Sequence, residues 1–166
     1  MQTKRARKEK MKPYDKSLID FLSGESGFIV PPFQRRYEWS KDQCEILFND
    51  IFKTAYINSV PGHESIHFFG TFTVSSDGES PFIIADGQQR IITSMLFLAA
   101  CMHSPYCPEK LKGEIQKILF SGTDPRLQQN KLDQGTYTKI IQGKAISSQE
   151  EKKRSMEELQ IFHGTY

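Results

Sequence analysis

One stretch restricts the possible folds of this chain more than any other: Ile83-Ile84-Ala85, then Asp86-Gly87-Gln88-Gln89-Arg90, then Ile91-Ile92-Thr93. Residues 82–85 follow Pro81 as an apolar run of the length of a buried strand, and residues 91–102 form an apolar segment long enough for a buried helix. The polar residues between them must therefore make the turn from one to the other. Asp86 is suited to capping the new helix, and Gly87, lacking Cβ, lets backbone or a ligand approach closely. An anion is favoured at such a point, because first-turn N–H groups point outward and the helix dipole is positive there. Arg90 adds a charged fork that fits phosphate. Gln88 and Gln89 supply neutral donors and acceptors able to orient a ribose, a phosphate or an attacking water. Ordinary punctuation explains the same residues, since Asp-Gly precedes many helices and a first-turn Arg commonly pairs with a carboxylate. What favours a site is the cost of setting consecutive polar side chains between two buried elements unless something satisfies them.

With 166 residues, 37% of them hydrophobic, the chain has the material for one domain with a modest core. Twelve Phe and six Tyr supply much of the apolar volume, so the low mean hydropathy does not indicate disorder. The net charge of +2 hides an asymmetry: residues 1–12 carry +5, which leaves −3 on the other 154. Such a basic tail can meet nucleic acid or membrane through charge, but is ordinarily a solvated, flexible arm. It has no apolar signal-peptide core, and no run in the chain is long and apolar enough to span a bilayer. A soluble, cytoplasmic protein without membrane contact is the expectation. Cys44, Cys101 and Cys107 form neither a CxxC pair nor an even set, and the four histidines have no metal-site spacing.

In chain order, residues 16–23 read as a short amphipathic helix stopped at Gly24, and Phe28-Ile29-Val30 as a strand ended by Pro31-Pro32. A second polar constellation follows: Phe33-Gln34-Arg35-Arg36-Tyr37-Glu38-Trp39. It is a loop fixed at both ends, because Ser40 and Gln43 make a capping box for a helix over residues 41–56. Two adjacent arginines beside Tyr37 and Trp39 suit a phosphate-and-base site, with charge for one and stacking for the other. The alternative is that the aromatics anchor the core and the arginines form a solvated edge. Residues 66–75 alternate as a strand, Asp77-Gly78 marks a turn, and an antiparallel hairpin with residues 82–85 is expected. Gly70 within that strand predicts a bulge or a close backbone approach. Further helices are expected from Pro108 to about residue 119, over 133–142 with Gly143 as the stop, and from a capping box at Ser148, with residues 121–130 as a polar loop.

These two motifs, with the Phe69-Gly70 strand between them, resemble the N-terminal domain of GmrSD-type restriction proteins, within the ParB/sulfiredoxin-like group. The resemblance covers roughly residues 15–143, and two separate motifs in the right order make it far more specific than either alone. It implies an α+β fold, a small mixed β-sheet flanked by several helices, over residues 13–146. Residues 1–12 would be the basic tail, and 147–166 a charged helix opening a following region. In that family the Asp86–Arg90 signature is the nucleotide site of an NTPase that gates cleavage of DNA, commonly modified phage DNA. The nuclease is usually an HNH domain further along, and this chain has no such pattern. Ile92 and Ser94 depart from the family's usual Thr and Leu, whereas Thr93 matches.

The resemblance thus implies a regulatory domain of a phage-defence protein that binds a nucleoside triphosphate with Mg²⁺ and hydrolyses it. Asp86, Gln88, Gln89 and Arg90 would be catalytic, and Asp86 would either hold the metal through its water shell or orient the attacking water. Gln34, Arg35, Arg36, Tyr37, Gly87, Arg90 and Thr93 would bind nucleotide. DNA would be met through the full-length protein, and family members often act as homo-oligomers. Two alternatives remain open at this point: a DNA-binding or modification-sensing module without NTPase activity, and a ParB-like nuclease acting on DNA directly.

Overall fold

The computed structural model describes residues 13–24, 26–76 and 81–144. The basic stretch 1–12, the Asp77-Gly78 turn and the segment 147–166 expected as a charged helix lie outside the described residues. In chain order come α1 (Leu18–Ser23), β1 (Phe28–Ile29), α2 (Lys41–Asn58), β2 (Thr73–Ser75), β3 (Phe82–Asp86), α3 (Gln88–His103), α4 (Glu109–Leu119), the short strands β4 (Phe120–Ser121), β5 (Asp124–Pro125) and β6 (Leu127–Gln128), and α5 (Gln134–Ile141). This is an α+β architecture with a small mixed sheet.

The sheet is ordered β2-β3-β1-β6, with β1 parallel to both β3 and β6 and β2 antiparallel to β3. Two-residue strands have little hydrogen bonding of their own, so side-chain burial holds the register. Phe28, Ile84 and Leu127 are fully buried on one face of the sheet, against Ile91, Ile92, Met95 and Ala99 of α3. Each such side chain contributes about 1.5–3 kcal/mol relative to exposure. Ile115, Ile118 and Leu119 of α4 and Ile140 and Ile141 of α5 close the same core from the far side of α3.

The central helix fits its sequence closely, since the apolar run that predicts it is buried almost all round through its first three turns. By contrast α2 buries only Cys44 fully, touches α3 edge-on through Phe48 and Phe97 at 5.9 Å, and leaves Ile46, Phe52 and Tyr56 exposed. Its expected capping box is present, Gln43 Oε1 accepting from the Ser40 N–H at 2.8 Å.

Three expectations are corrected. Residues 66–72 are not strand, and only Thr73–Ser75 pairs with β3. Gly70 has a φ of +85°, which turns the backbone out of the extended region. Ile66 and Phe68 are accordingly left exposed. The polar loop expected over 121–130 instead contains β4, β5 and β6, and β6 joins the main sheet through Leu127, whose side chain is completely buried. Finally, Asp86 closes β3 rather than capping α3, and Gly87 occupies the N-cap position at a φ of +88°. A Cβ at Gly87 would stand 2.5 Å from the Phe72 ring, so this buried turn has room only for glycine.

Candidate functional site

The two polar motifs, some fifty residues apart in sequence, are stitched together side by side. Gln34 Nε2 donates to the Ala85 carbonyl at 3.1 Å, Gln88 Nε2 to the Arg35 carbonyl at 2.7 Å, and Gln89 Nε2 to the Arg36 carbonyl at 3.0 Å. Gln89 Oε1 in turn accepts from the N–H groups of Glu38 at 2.8 Å and Trp39 at 3.3 Å. Amide side chains suit this task because each carries both a donor and an acceptor, and can replace the strand partners that a proline-led loop lacks. Gln88 and Gln89 are buried accordingly. The donor and acceptor ends of Gln89 are fixed by the backbone groups that each one meets.

Arg90 turns the opposite way, toward the segment before β2. Its Nη1 donates to the Phe69 carbonyl at 2.9 Å and its Nη2 to the Thr71 carbonyl at 2.8 Å. The Phe72 ring lies 4.9 Å from the guanidinium carbon, within cation–π range, and Asp86 pairs with Arg90 at 3.7 Å. Gly70 sits between the two carbonyls, where a Cβ would collide with Arg90 Nη1. The close approach expected at Gly70 is therefore the approach of the signature arginine itself.

Below the turn, Tyr37 and Thr93 meet inside the structure. Their hydroxyls are 2.9 Å apart, Thr93 Oγ1 also donates to the Gln89 carbonyl at 2.8 Å, and Tyr37 Oη lies 3.3 Å from Cys44 Sγ. Both residues position the loop against α3 from beneath. Arg36 is anchored as well: its Nε donates to Asp133 Oδ1 at 2.9 Å, and its Nη2 pairs with the same oxygen. Burial alone would raise the Asp133 carboxyl. The hydrogen bonds from Arg36, Asn130 and the Tyr37 N–H, together with the Arg36 charge, more than offset this and hold it below the ordinary 3.8. The bond to Asp133 likewise raises the Arg36 guanidinium against the opposing effect of burial.

A pH dependence follows from that pair. Because the Asp133 pKa is lower in the folded state, its stabilisation is complete above the unfolded value and is lost as pH falls through the folded value. Melting temperatures of wild type and Asp133→Asn should thus differ most near neutral pH and converge below about pH 3.8. A gap that does not narrow at all as pH falls through 3.8 and below would show that the ion pair does not contribute.

Two of the sequence-derived site residues face solvent. The Asp86 side chain is 67% exposed and that of Arg35 66%, the latter making only a 3.4 Å surface pair with Glu38. They flank one turn, because Gln34 binds the carbonyl preceding Asp86 and Gln88 binds that of Arg35. Of the remaining candidates, Gln34 and Gly87 line this turn, Gln88 and Gln89 hold it, and Arg36, Tyr37, Thr93 and Arg90 brace it from neighbouring elements. Sequence reasoning did not find Asp133. It reads as an ordinary helix start, and nothing local marks it as a partner for an arginine 97 positions away.

Fold and site together define an α+β domain in which a glutamine-bearing strand–turn–helix signature clamps an arginine loop beside the N-terminus of its central helix. Over residues 18–164 the chain matches the family described as GmrSD restriction endonuclease, N-terminal domain, and it belongs to that family. Membership places it among restriction, phage-defence proteins. No curated protein matches the chain. Among the described residues, no helix is long and apolar enough to cross a membrane.

Proposed function

We propose that the domain binds a nucleoside triphosphate at the junction of the arginine loop and the β3–α3 turn, and hydrolyses it to regulate a DNA-cleaving activity in the full-length protein. The observation that carries this reading is the placing of exposed Asp86 and Arg35 on either side of the first turn of α3, held there by three buried or half-buried amide side chains. A helix N-terminus presents N–H groups that have no partner within the helix, and with its dipole favours phosphate. Arg35 supplies an exposed cation, since a surface pair with Glu38 is weak enough to be exchanged for a phosphate.

On this reading the candidate residues divide the labour. Arg35 and the α3 N–H groups bind phosphate oxygens and stabilise the charge that develops on them in transfer. Asp86 faces solvent and can hold Mg²⁺ through its water shell. Mg²⁺ is commonly held by one or two carboxylates together with the phosphates of its substrate. Mg²⁺ bound there would neutralise phosphate charge. Gln89, Arg90, Tyr37, Thr93 and Arg36 act as positioning residues, holding the loop and turn at fixed separation.

Thermal shift with ATP, GTP, CTP and UTP, with and without Mg²⁺, tests this directly. A ligand that binds only the folded state at 100 times its Kd adds about 2.7 kcal/mol. A shift with at least one nucleotide is expected, reduced at least tenfold in apparent affinity by Arg35→Ala and losing its Mg²⁺ dependence in Asp86→Ala. No shift with any of the four would reject the proposal, and a salt-sensitive affinity for DNA in its place would mark a DNA-binding module.

A further inference from the structure

The parallel register brings a third segment to the same edge. Phe28 pairs with Phe82 and Leu127, and Ile29 with Ile83 and Gln128, so that one residue further on Val30, Ile84 and Gln129 stand level. All three are buried. In sheets with parallel strands, ligands are held where the strands end at their carboxyl termini. Here three such ends lie side by side at roughly 5 Å spacing. One leads into Asp86 and the turn, one into the arginine loop, and one into Gln129, Asn130 and Asp133. The third segment is bonded to the first motif through Asp133, which binds both the Arg36 side chain and the Tyr37 N–H.

Gln129 is fixed in place without being used up. Its N–H donates to Gln134 Oε1 at 2.5 Å, and only 9% of the residue is exposed, yet its Oε1 has no hydrogen-bond partner. Gln88 Oε1 is orphaned in the same way, while Gln88 Nε2 is committed to Arg35. Leaving a buried acceptor unpaired is unfavourable, and an apolar residue of similar shape would avoid the penalty. Gln88 Oε1 is an acceptor because its Nε2 is committed, so what it lacks is a donor, while the Gln129 amide is unbonded at both ends and can accept or donate. Phosphate oxygens offer no donor at neutral pH, whereas the nucleoside part of a nucleotide offers ribose hydroxyls and base N–H groups. The β3 and β6 ends are separated by two strand spacings, roughly 10 Å, so a single nucleotide can reach from one to the other.

Resting on the nucleotide reading above, we propose that Gln129 is a specificity-determining residue whose side-chain amide hydrogen-bonds the nucleoside part of the ligand. The phosphates then lie toward Asp86, Arg35 and α3, and the nucleoside lies toward β6.

Calorimetric titration of the full chain with Mg²⁺ and ATP, GTP, their 2′-deoxy forms and inorganic tripolyphosphate tests the assignment. Gln129→Leu is expected to weaken nucleoside triphosphate binding tenfold or more, to leave tripolyphosphate binding unchanged and to keep or raise the melting temperature. Gln129→Asn, which withdraws the amide by one methylene, serves the same purpose should the leucine variant not fold. If the 2′-deoxy forms bind wild type as weakly as the ribonucleotides bind the variant, the partner is the sugar hydroxyl. If they bind wild type normally and still lose affinity in the variant, the partner lies elsewhere on the nucleoside. Unchanged nucleotide binding in both variants would overturn the proposal and leave the amide to a buried water. An equal loss for tripolyphosphate would overturn it in favour of a purely structural role. Binding of no nucleotide and no tripolyphosphate by wild type would instead overturn the nucleotide reading, and this assignment with it.

Discussion

Replacing Gln89 with leucine is expected to lower the unfolding free energy by about 3 kcal/mol, at roughly 1 kcal/mol for each of three part-buried hydrogen bonds lost. Leucine has nearly the same size, so the loss is not one of packing. Three backbone groups lose their partner together: the Arg36 carbonyl and the N–H groups of Glu38 and Trp39. For a domain of this size each kcal/mol corresponds to roughly 2–4 °C, giving a drop of roughly 6–12 °C in a calorimetric melt. Gln89→Glu should fare little better, because it keeps the acceptor but removes the donor to Arg36 and sets a charge in a buried position. Nucleotide affinity should vanish in both variants, and the arginine loop should become a site of limited proteolysis. A melting point within about 2 °C of wild type would show that the staple does not hold the loop.

The second large effect is expected at Gly70. Gly70→Ala combines the strain of a left-handed conformation, about 1–2 kcal/mol, with displacement of Arg90 from both carbonyls that it binds. Hydrogen bonds to a charged group contribute about 1.5–3 kcal/mol each, so with the strain a total of about 4–8 kcal/mol is expected. Arg90→Ala should lose the hydrogen-bond portion alone. Because the two changes destroy one contact, Gly70→Ala combined with Arg90→Ala should cost clearly less than the sum of the single variants. Additive losses in urea titrations of the four proteins would show that Gly70 does not act through Arg90.

How much of this was legible in the sequence depends on how locally each feature is encoded. The β3–turn–α3 unit is written in consecutive residues, as is the Ser40–Gln43 start of α2, and both stand where expected. The antiparallel pairing of β2 with β3 also stands, from alternation and proximity. Leu127–Gln128 could not be read as a strand, because two residues have no period. Its place is set by a buried Leu127 and by neighbours about a hundred residues upstream. Likewise, residue type shows that Arg36 and Arg90 suit phosphate, but not that Asp133 and the carbonyls of Phe69 and Thr71 already engage them. A single sequence records charge and hydrogen-bonding capacity, whereas satisfaction of that capacity is a property of the folded chain.

The placement of β1 between two parallel neighbours bears on how the protein comes to exist during synthesis. Its partners begin at residues 82 and 127, and the hydrogen bonds joining the arginine loop to the β3–α3 turn and to Asp133 span 50 to 97 positions. Contacts of such sequence separation delay folding, because long loops must close before any of them forms. A ribosome-bound chain that has not yet exposed residue 133 therefore has its arginine loop untethered on one side and an open sheet edge beside Phe28. The domain cannot acquire a competent site piecemeal from its N-terminus. The arginine loop, the turn and their anchor at Asp133 come together only when nearly the whole domain has emerged.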